Sequence, residues 1–110
     1  ASYVARVTVG NPAMCEQYIK KAVQHQQYGF SVVEIVTYCH TQFGRRNKRS
    51  NPVANFNFLK ENSVMKSQAE KMAPEELQGK IIVGEFVNRQ DSLEYSKRYD
   101  QVIERAHNKA

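Results

Sequence analysis

Two cysteines and three histidines are the side chains in this 110-residue chain best suited to bind a metal or attack a substrate. Cys39 is the clearest of them. It follows an apolar run, Phe30 to Val36, and leads into His40-Thr41-Gln42-Phe43-Gly44, which reads as a turn. A thiol just past the C-terminal end of a buried strand lies where open α/β sheets collect their ligands. Three roles suit such a thiol: metal or cluster ligand, nucleophile, or a partly buried free cysteine without chemistry. A zinc site or an iron–sulfur cluster takes about four ligands, and Cys15, Cys39, His25, His40 and His107 match no such spacing. If Cys39 is a ligand, most of its partners are expected outside this chain. A thiol enzyme built on Cys39 and His40 is a weaker option, because neighbours in a turn rarely face one another and no third orienting group is evident.

The remaining candidates have plainer readings. Cys15 sits on a helical stretch one position from the core-facing Met14 and is expected to be a core or boundary thiol. His25 and His107 fall on polar faces and are expected in solvent. Arg45, Arg46, Lys48 and Arg49 supply four of the five net positive charges of the chain. So local a charge argues against a general nucleic-acid surface and for one docking loop. The loop can be a solvated segment, a landing site for an acidic electron carrier, or a clamp for an anionic ligand such as coenzyme A, since Arg suits phosphate.

The elements that must hold these residues are α/β in pattern. Tyr3 to Val9 is rich in β-branched residues and reads as a strand, closed by Gly10-Asn11-Pro12. Asn11 is a good N-cap and Pro12 suits the first helical position. The helix that follows carries Met14, Tyr18, Ile19, Ala22 and Val23 as one stripe, and Gly29 lies past its end. The second strand, Phe30 to Val36, is broken only by Ser31 and Glu34. So continuous an apolar run predicts burial on both faces, as in a helix-covered parallel sheet. Strand, capped helix and strand within this length make a βαβ unit. Thr37 to Asn51 has no periodicity and is expected to be a functional or mobile loop. Asn51-Pro52 opens a second helix; Lys66 to Met72 and Pro74-Glu75-Glu76 look like short helical segments. Ile81 to Val87 reads as a third strand. The last helix begins near Ser92, with Leu93, Tyr95, Tyr99, Val102, Ile103 and Ala106 along one side and Tyr95 and Tyr99 expected to pack. About three strands with flanking helices are too few for a complete doubly wound sheet, so half a domain is expected.

Composition sets outer limits. Apolar residues at 41% and charged residues at 25% are ordinary globular values and argue against disorder throughout. No apolar run approaches the roughly 18 residues of a membrane helix. Two cysteines do not make a secreted disulfide framework, which favours a reduced, cytoplasmic setting. The chain opens without Met on Ala1-Ser2-Tyr3-Val4-Ala5, already strand-like, so preceding sequence is expected.

The segment Gly29-Phe30-Ser31-Val32-Val33-Glu34-Ile35-Val36-Thr37-Tyr38-Cys39-His40-Thr41-Gln42-Phe43-Gly44-Arg45-Arg46-Asn47-Lys48 resembles the β subunits of 2-oxoacid:ferredoxin oxidoreductases, above all the 2-oxoglutarate type. There a GFSxxE strand leads into a Cys-Pro-Thr-x-(Phe/Tyr)-Gly turn and a basic Arg-Arg-Asn stretch. Ser2 to Arg6, Asn51 to Asn62 and Gly79 to Phe86 extend the likeness over nearly the whole chain. The resemblance implies that residues 1–110 are the C-terminal part of a subunit that binds thiamine diphosphate with Mg2+ and carries a 4Fe–4S cluster. It implies oxidative decarboxylation of a 2-oxoacid to an acyl-coenzyme A, with ferredoxin or flavodoxin as electron acceptor and with α and accessory subunits as partners. Carried over, Cys39 is the fourth cluster ligand, the other three lying upstream. The family's glycine–aspartate diphosphate motif is absent, so no residue here is assigned to the cofactor or its Mg2+. His40 stands where the family has Pro. That change can loosen the turn, place an N–H near a cluster sulfur, or replace Pro neutrally on a surface. The rival from another class is a free-standing basic α/β module that binds RNA or an acidic protein.

Overall fold

A computed structural model describes residues 1–108. The sheet starts from the β-branched segment foreseen, β1 (Tyr3–Thr8). Asn11 then caps α1 (Pro12–Gln24), its Oδ1 accepting the Met14 N–H at 3.1 Å, with Pro12 opening the helix. A short 3-10 turn leads to β2 (Ser31–Val36). The stretch after it is not structureless: α2 (Phe43–Arg46) forms inside it before α3 (Pro52–Asn62) begins. Next come β3 (Ser63–Met65), α4 (Lys66–Ala69), β4 (Ile81–Asn88) and α5 (Tyr95–His107).

The strand order is β2-β1-β4-β3. β1 and β2 run parallel from Tyr3↔Ser31 to Thr8↔Val36, β3 and β4 run parallel, and β1 meets β4 antiparallel with a bulge at Val4/Ala5. The fold is therefore an α/β open sheet, mostly parallel, with flanking helices, and its first half is the βαβ unit that the sequence implied. The strand beyond the three expected is β3. It follows α3 without a loop and is only three residues long, so its strand character comes from pairing with Ile81–Val83 and leaves little local signal.

The core lies between β1 and α1. Tyr3, Ala5 and Val7 are fully buried, Tyr18 covers them, and Met14, Cys15, Ala22 and Val33 pack around the cluster. Cys15 is thus the boundary thiol expected, its Sγ donating to the Thr8 carbonyl at 3.5 Å.

Several expectations are corrected. Val32 and Ile35, which lie on opposite faces of the sheet, remain 38% and 40% exposed, because β2 is an edge strand with a neighbour on one side only. His25 is buried. Its Nδ1 lies 3.0 Å from the Lys21 carbonyl and its Nε2 2.8 Å from Asn88 Oδ1, and its ring packs between Tyr3 and Tyr28. The polar face that suggested solvent is lost where α1 gives way to the 3-10 turn. His107 is exposed as expected. Pro74-Glu75-Glu76 lies in turns; Gly79, at φ +76°, takes a backbone conformation that cannot continue a helix. Helix α5 starts at Tyr95, capped by the Glu94 carboxylate accepting from the Ser96 and Lys97 N–H groups. Tyr95 and Tyr99 stack on each other but stay 76% and 56% exposed, and no residue of α5 is buried. The apolar stripe is real, but nothing within the described residues meets it.

A polar cluster ties α1 to β4. Tyr3 Oη donates to Glu85 Oε1 at 2.8 Å, and Lys21 Nζ reaches the same oxygen at 2.9 Å. Burial favours the neutral form of Glu85, but the hydrogen bonds from Lys21 and Tyr3 outweigh it and hold the carboxyl below its usual range. Burial, reinforced by Glu85, pushes the Tyr3 hydroxyl well above its own. Because the folded-state pKa of Glu85 is depressed, its contribution to stability is full above the ordinary glutamate value of about 4.3 and is lost as pH falls through the folded value. Denaturant titrations at neutral pH and in acid should therefore show Glu85→Gln less stable at neutral pH and flatter in its acid dependence. Equal pH slopes for the two proteins would contradict this.

Candidate functional site

Parallel pairing of β1 and β2 brings their C-terminal ends together, and the Val9 N–H donates to the Val36 carbonyl at 3.1 Å. The chain then passes through Thr37 and Tyr38 into the Cys39 turn. The Cys39 carbonyl accepts from the Gly44 N–H at 2.8 Å, which closes the turn onto α2. The thiol is exposed. Its Sγ accepts the Gln42 N–H at 3.4 Å and lies 3.4 Å from Thr41 Oγ1. The Thr41 hydroxyl first, then the backbone N–H groups of Gln42, Phe43 and Thr41, pull the thiol down to about 7. Hydrogen bonds to sulfur favour the thiolate, the form that binds metals and attacks electrophiles.

The basic loop is built, not slack. At Gly44 a side chain would put its Cβ 2.6 Å from the Arg49 carbonyl oxygen, so the residue must be glycine for the loop to close there. The Arg49 N–H returns a 2.6 Å bond to the Gly44 carbonyl, and Asn47 Nδ2 donates to the Phe43 carbonyl at 2.8 Å. Tyr38 stacks on Phe43 at 5.4 Å between centroids and leans on Phe58, whose other neighbour is the Arg49 guanidinium at 4.9 Å. Arg45, Arg46 and Lys48 are exposed.

Sequence reading missed Asn55. It is 3% exposed, and its Nδ2 donates to the Arg49 carbonyl at 2.6 Å and to His40 Nδ1 at 3.2 Å. Since His40 Nδ1 accepts, the neutral ring carries its proton on Nε2. One buried amide thus fastens both the turn after Cys39 and the end of the basic loop to α3. It also supplies at His40 an anchor of the kind that a proline ring would provide by stiffness. The available signal was an Asn inside a short helix, where that residue is unfavourable unless its side chain is used. Between the turn and α3 runs a cavity of about 350 Å³ lined by Val9, Tyr38, His40, Val53, Phe56 and Leu59, among others.

The turn therefore gathers Cys39, His40 and the four cations. Cys15 is held apart beneath α1, His25 under the sheet's other end, and His107 on α5. Among the described residues no three His, Cys, Asp or Glu side chains cluster closely enough to hold a metal ion. Of the two free thiols, Cys39 is the exposed one and Cys15 is partly buried.

Fold and site together define an α/β open-sheet segment with an activated thiol past the C-terminal ends of two parallel strands, the position such sheets use for ligands. The sequence comparisons point the same way. The chain is 48% identical over 89 residues to the 2-oxoglutarate synthase subunit KorB of Methanothermobacter thermautotrophicus, a match covering 81% of this chain and 30% of that protein. The KorB subunit of Methanothermobacter marburgensis is 47% identical over 88 residues, covering 80% and 30%. That of Methanocaldococcus jannaschii is 40% identical over 105 residues, covering 96% and 38%. Over most of its own length the chain is thus similar to 2-oxoglutarate synthase KorB subunits, and it spans about a third of the length of these relatives. No family model matches it, nor does any solved structure.

In metal-free protein, alkylation of Cys39 by iodoacetamide should titrate with a midpoint near 7. Thr41→Val removes the largest lowering contribution and should move that midpoint upward. A midpoint already at the ordinary thiol value, or one indifferent to Thr41, would contradict the geometry of the turn.

Proposed function

We propose that residues 1–110 form the C-terminal part of the thiamine-diphosphate-binding β subunit of a 2-oxoglutarate:ferredoxin oxidoreductase. The complete enzyme oxidatively decarboxylates the 2-oxoacid to an acyl-coenzyme A and passes the electrons to ferredoxin or flavodoxin. The observation that carries this reading is 40–48% identity to KorB subunits across 80–96% of the chain. A match over 105 of 110 residues necessarily spans the Cys39 turn.

In this reading Cys39 supplies one thiolate to a 4Fe–4S cluster, and the other ligands come from parts of the subunit outside these residues. The turn is suited to hold such a ligand, because Thr41 and the backbone N–H groups stabilise the anion. Hydrogen bonds to a ligating sulfur also tune a cluster's potential. Asn55 holds His40 by Nδ1 and leaves its Nε2–H free to donate beside the same turn. Thiamine diphosphate, when bound with Mg2+, supplies carbanion stabilisation. No residue of this chain is assigned to the diphosphate or to Mg2+, and the chain by itself is expected to be inactive. Its partners are the α and accessory subunits of a hetero-oligomer. A reduced cytoplasmic setting accords with two free cysteines, and no helix among the described residues is long and apolar enough to cross a membrane.

The test uses the complete subunit assembled with its partners. Cys39→Ser should bleach the visible iron–sulfur absorbance and abolish 2-oxoglutarate-dependent reduction of ferredoxin. Retained colour would refute the ligand assignment. An unmodified complex that reduces no viologen dye with 2-oxoglutarate and coenzyme A would refute the functional reading itself.

A further inference from the structure

We propose that the Arg45–Arg49 loop and the apolar groove behind it form one docking surface for an acidic protein, the groove seating a nonpolar side chain flanked by the partner's carboxylates. The proposal rests on the functional reading, which it deepens by naming the surface on which an electron carrier would sit.

Charge is the first argument. From Ile35 to Lys60 the sequence holds no Asp or Glu, so Arg45, Arg46, Lys48 and Arg49 stand in a stretch without local compensation. Among the described residues none of the four forms an ion pair; the ion pairs present involve Arg6, Lys20, Lys21 and Lys66. Cations left unpaired in a segment that long lack a partner carboxylate, and complementary charge raises encounter rates and fixes orientation.

Preorganisation is the second. The loop is closed by the Gly44–Arg49 bond, the Asn47 bond to Phe43 and the buried Asn55. A surface already held in place loses little entropy on binding, unlike a solvated loop of free side chains.

The third argument is the groove. Val53 and Phe56 on α3 are 67% and 40% exposed, and with Tyr38, His40 and Leu59 they line the cavity of about 350 Å³. Asn55 and His40 belong to both the groove wall and the loop's anchor, so groove and cations are one continuous surface. An apolar centre rimmed by charge is the anatomy of a protein–protein contact.

The same residues speak against nucleic acid. Single-stranded binding needs free aromatic faces along a basic track. Here Phe43 is stacked on Tyr38 and Phe58 lies under Arg49 and against Tyr38, so that Phe56, 40% exposed in the groove, is a single open ring and not a track of them. The cations are also confined to five positions rather than spread along a stripe.

The experiment takes the assembled complex and measures affinity for ferredoxin, and separately for poly(U) RNA, at low and at moderate salt. One variant carries Arg45→Gln, Arg46→Gln and Lys48→Gln; Arg49 is spared because it covers Phe58. The other is Val53→Asp, a highly exposed position at the groove. The triple variant should bind ferredoxin roughly tenfold more weakly at low salt, with the gap closing as salt screens the charges. Val53→Asp should weaken binding at both salt concentrations. Unchanged affinity and salt dependence in the triple variant would overturn the proposal. So would loop-dependent binding of poly(U) with ferredoxin affinity unaffected. Dye reduction by the unmodified complex tests the functional reading in a different assay, so the two failures are told apart.

Discussion

Burial of Tyr3, Ala5 and Val7 beneath α1 is the constraint on which the rest of this structure depends. It fixes the face that β1 presents and, through the pleat, the register of both neighbouring strands. With Tyr3 opposite Ser31 and Thr8 opposite Val36, the end of β2 can only emerge beside the end of β1. The Cys39 turn inherits its location from that register. A slip of one residue would turn Tyr3, Ala5 and Val7 out of the core and carry the turn with it. The Tyr3–Glu85–Lys21 cluster reinforces the register from below, because a carboxylate with two donors on one oxygen is satisfied only while α1, β1 and β4 keep their places.

The sheet is closed on one side and open on the other. Its α1 side holds the core, whereas Val32 and Phe86 on the other face remain more than a third exposed and no residue of α5 is buried. The molecule is accordingly drawn out, 66 × 35 × 23 Å, where a compact domain of this length would have a radius of gyration of roughly 13 Å against the 19.4 Å found. Apolar surface of that extent marks an interaction face in a native protein. It is in keeping with a chain that spans about a third of its relatives' length.

What the sequence made legible was local. The β-branched run of β1, the Asn11-Pro12 and Asn51-Pro52 helix starts, and the thiol beyond β2 each carry their own signal within a few residues. What it hid was tertiary. Val32 and Ile35 read as doubly buried because a continuous apolar run does not reveal that the strand is an edge. His25 read as exposed because helical periodicity was extended past the point where α1 becomes a 3-10 turn. Ser63–Met65 became a strand by pairing. Asn55 was invisible because its two acceptors lie 6 and 15 residues away in a loop without periodicity. The activating side chain, Thr41, sits two residues from Cys39 and was within reach of a sequence argument. Its effect on sulfur, however, depends on a turn geometry that spacing alone does not specify.

The two kinds of positive influence at this turn do different things. Cys39 has its thiol lowered by the Thr41 hydroxyl and by backbone N–H groups, and none of the four loop cations contributes to that lowering. Activation of the sulfur is short-range and built into the turn, where each donor points at one atom. The cations, by contrast, are exposed and, among the described residues, without ion pairs, with Arg49 lying over Phe58. Thr41 is uncharged, so replacing it leaves the charge of the loop unchanged. The donors that act on the thiol and the charges that the loop presents to solvent are thus different groups.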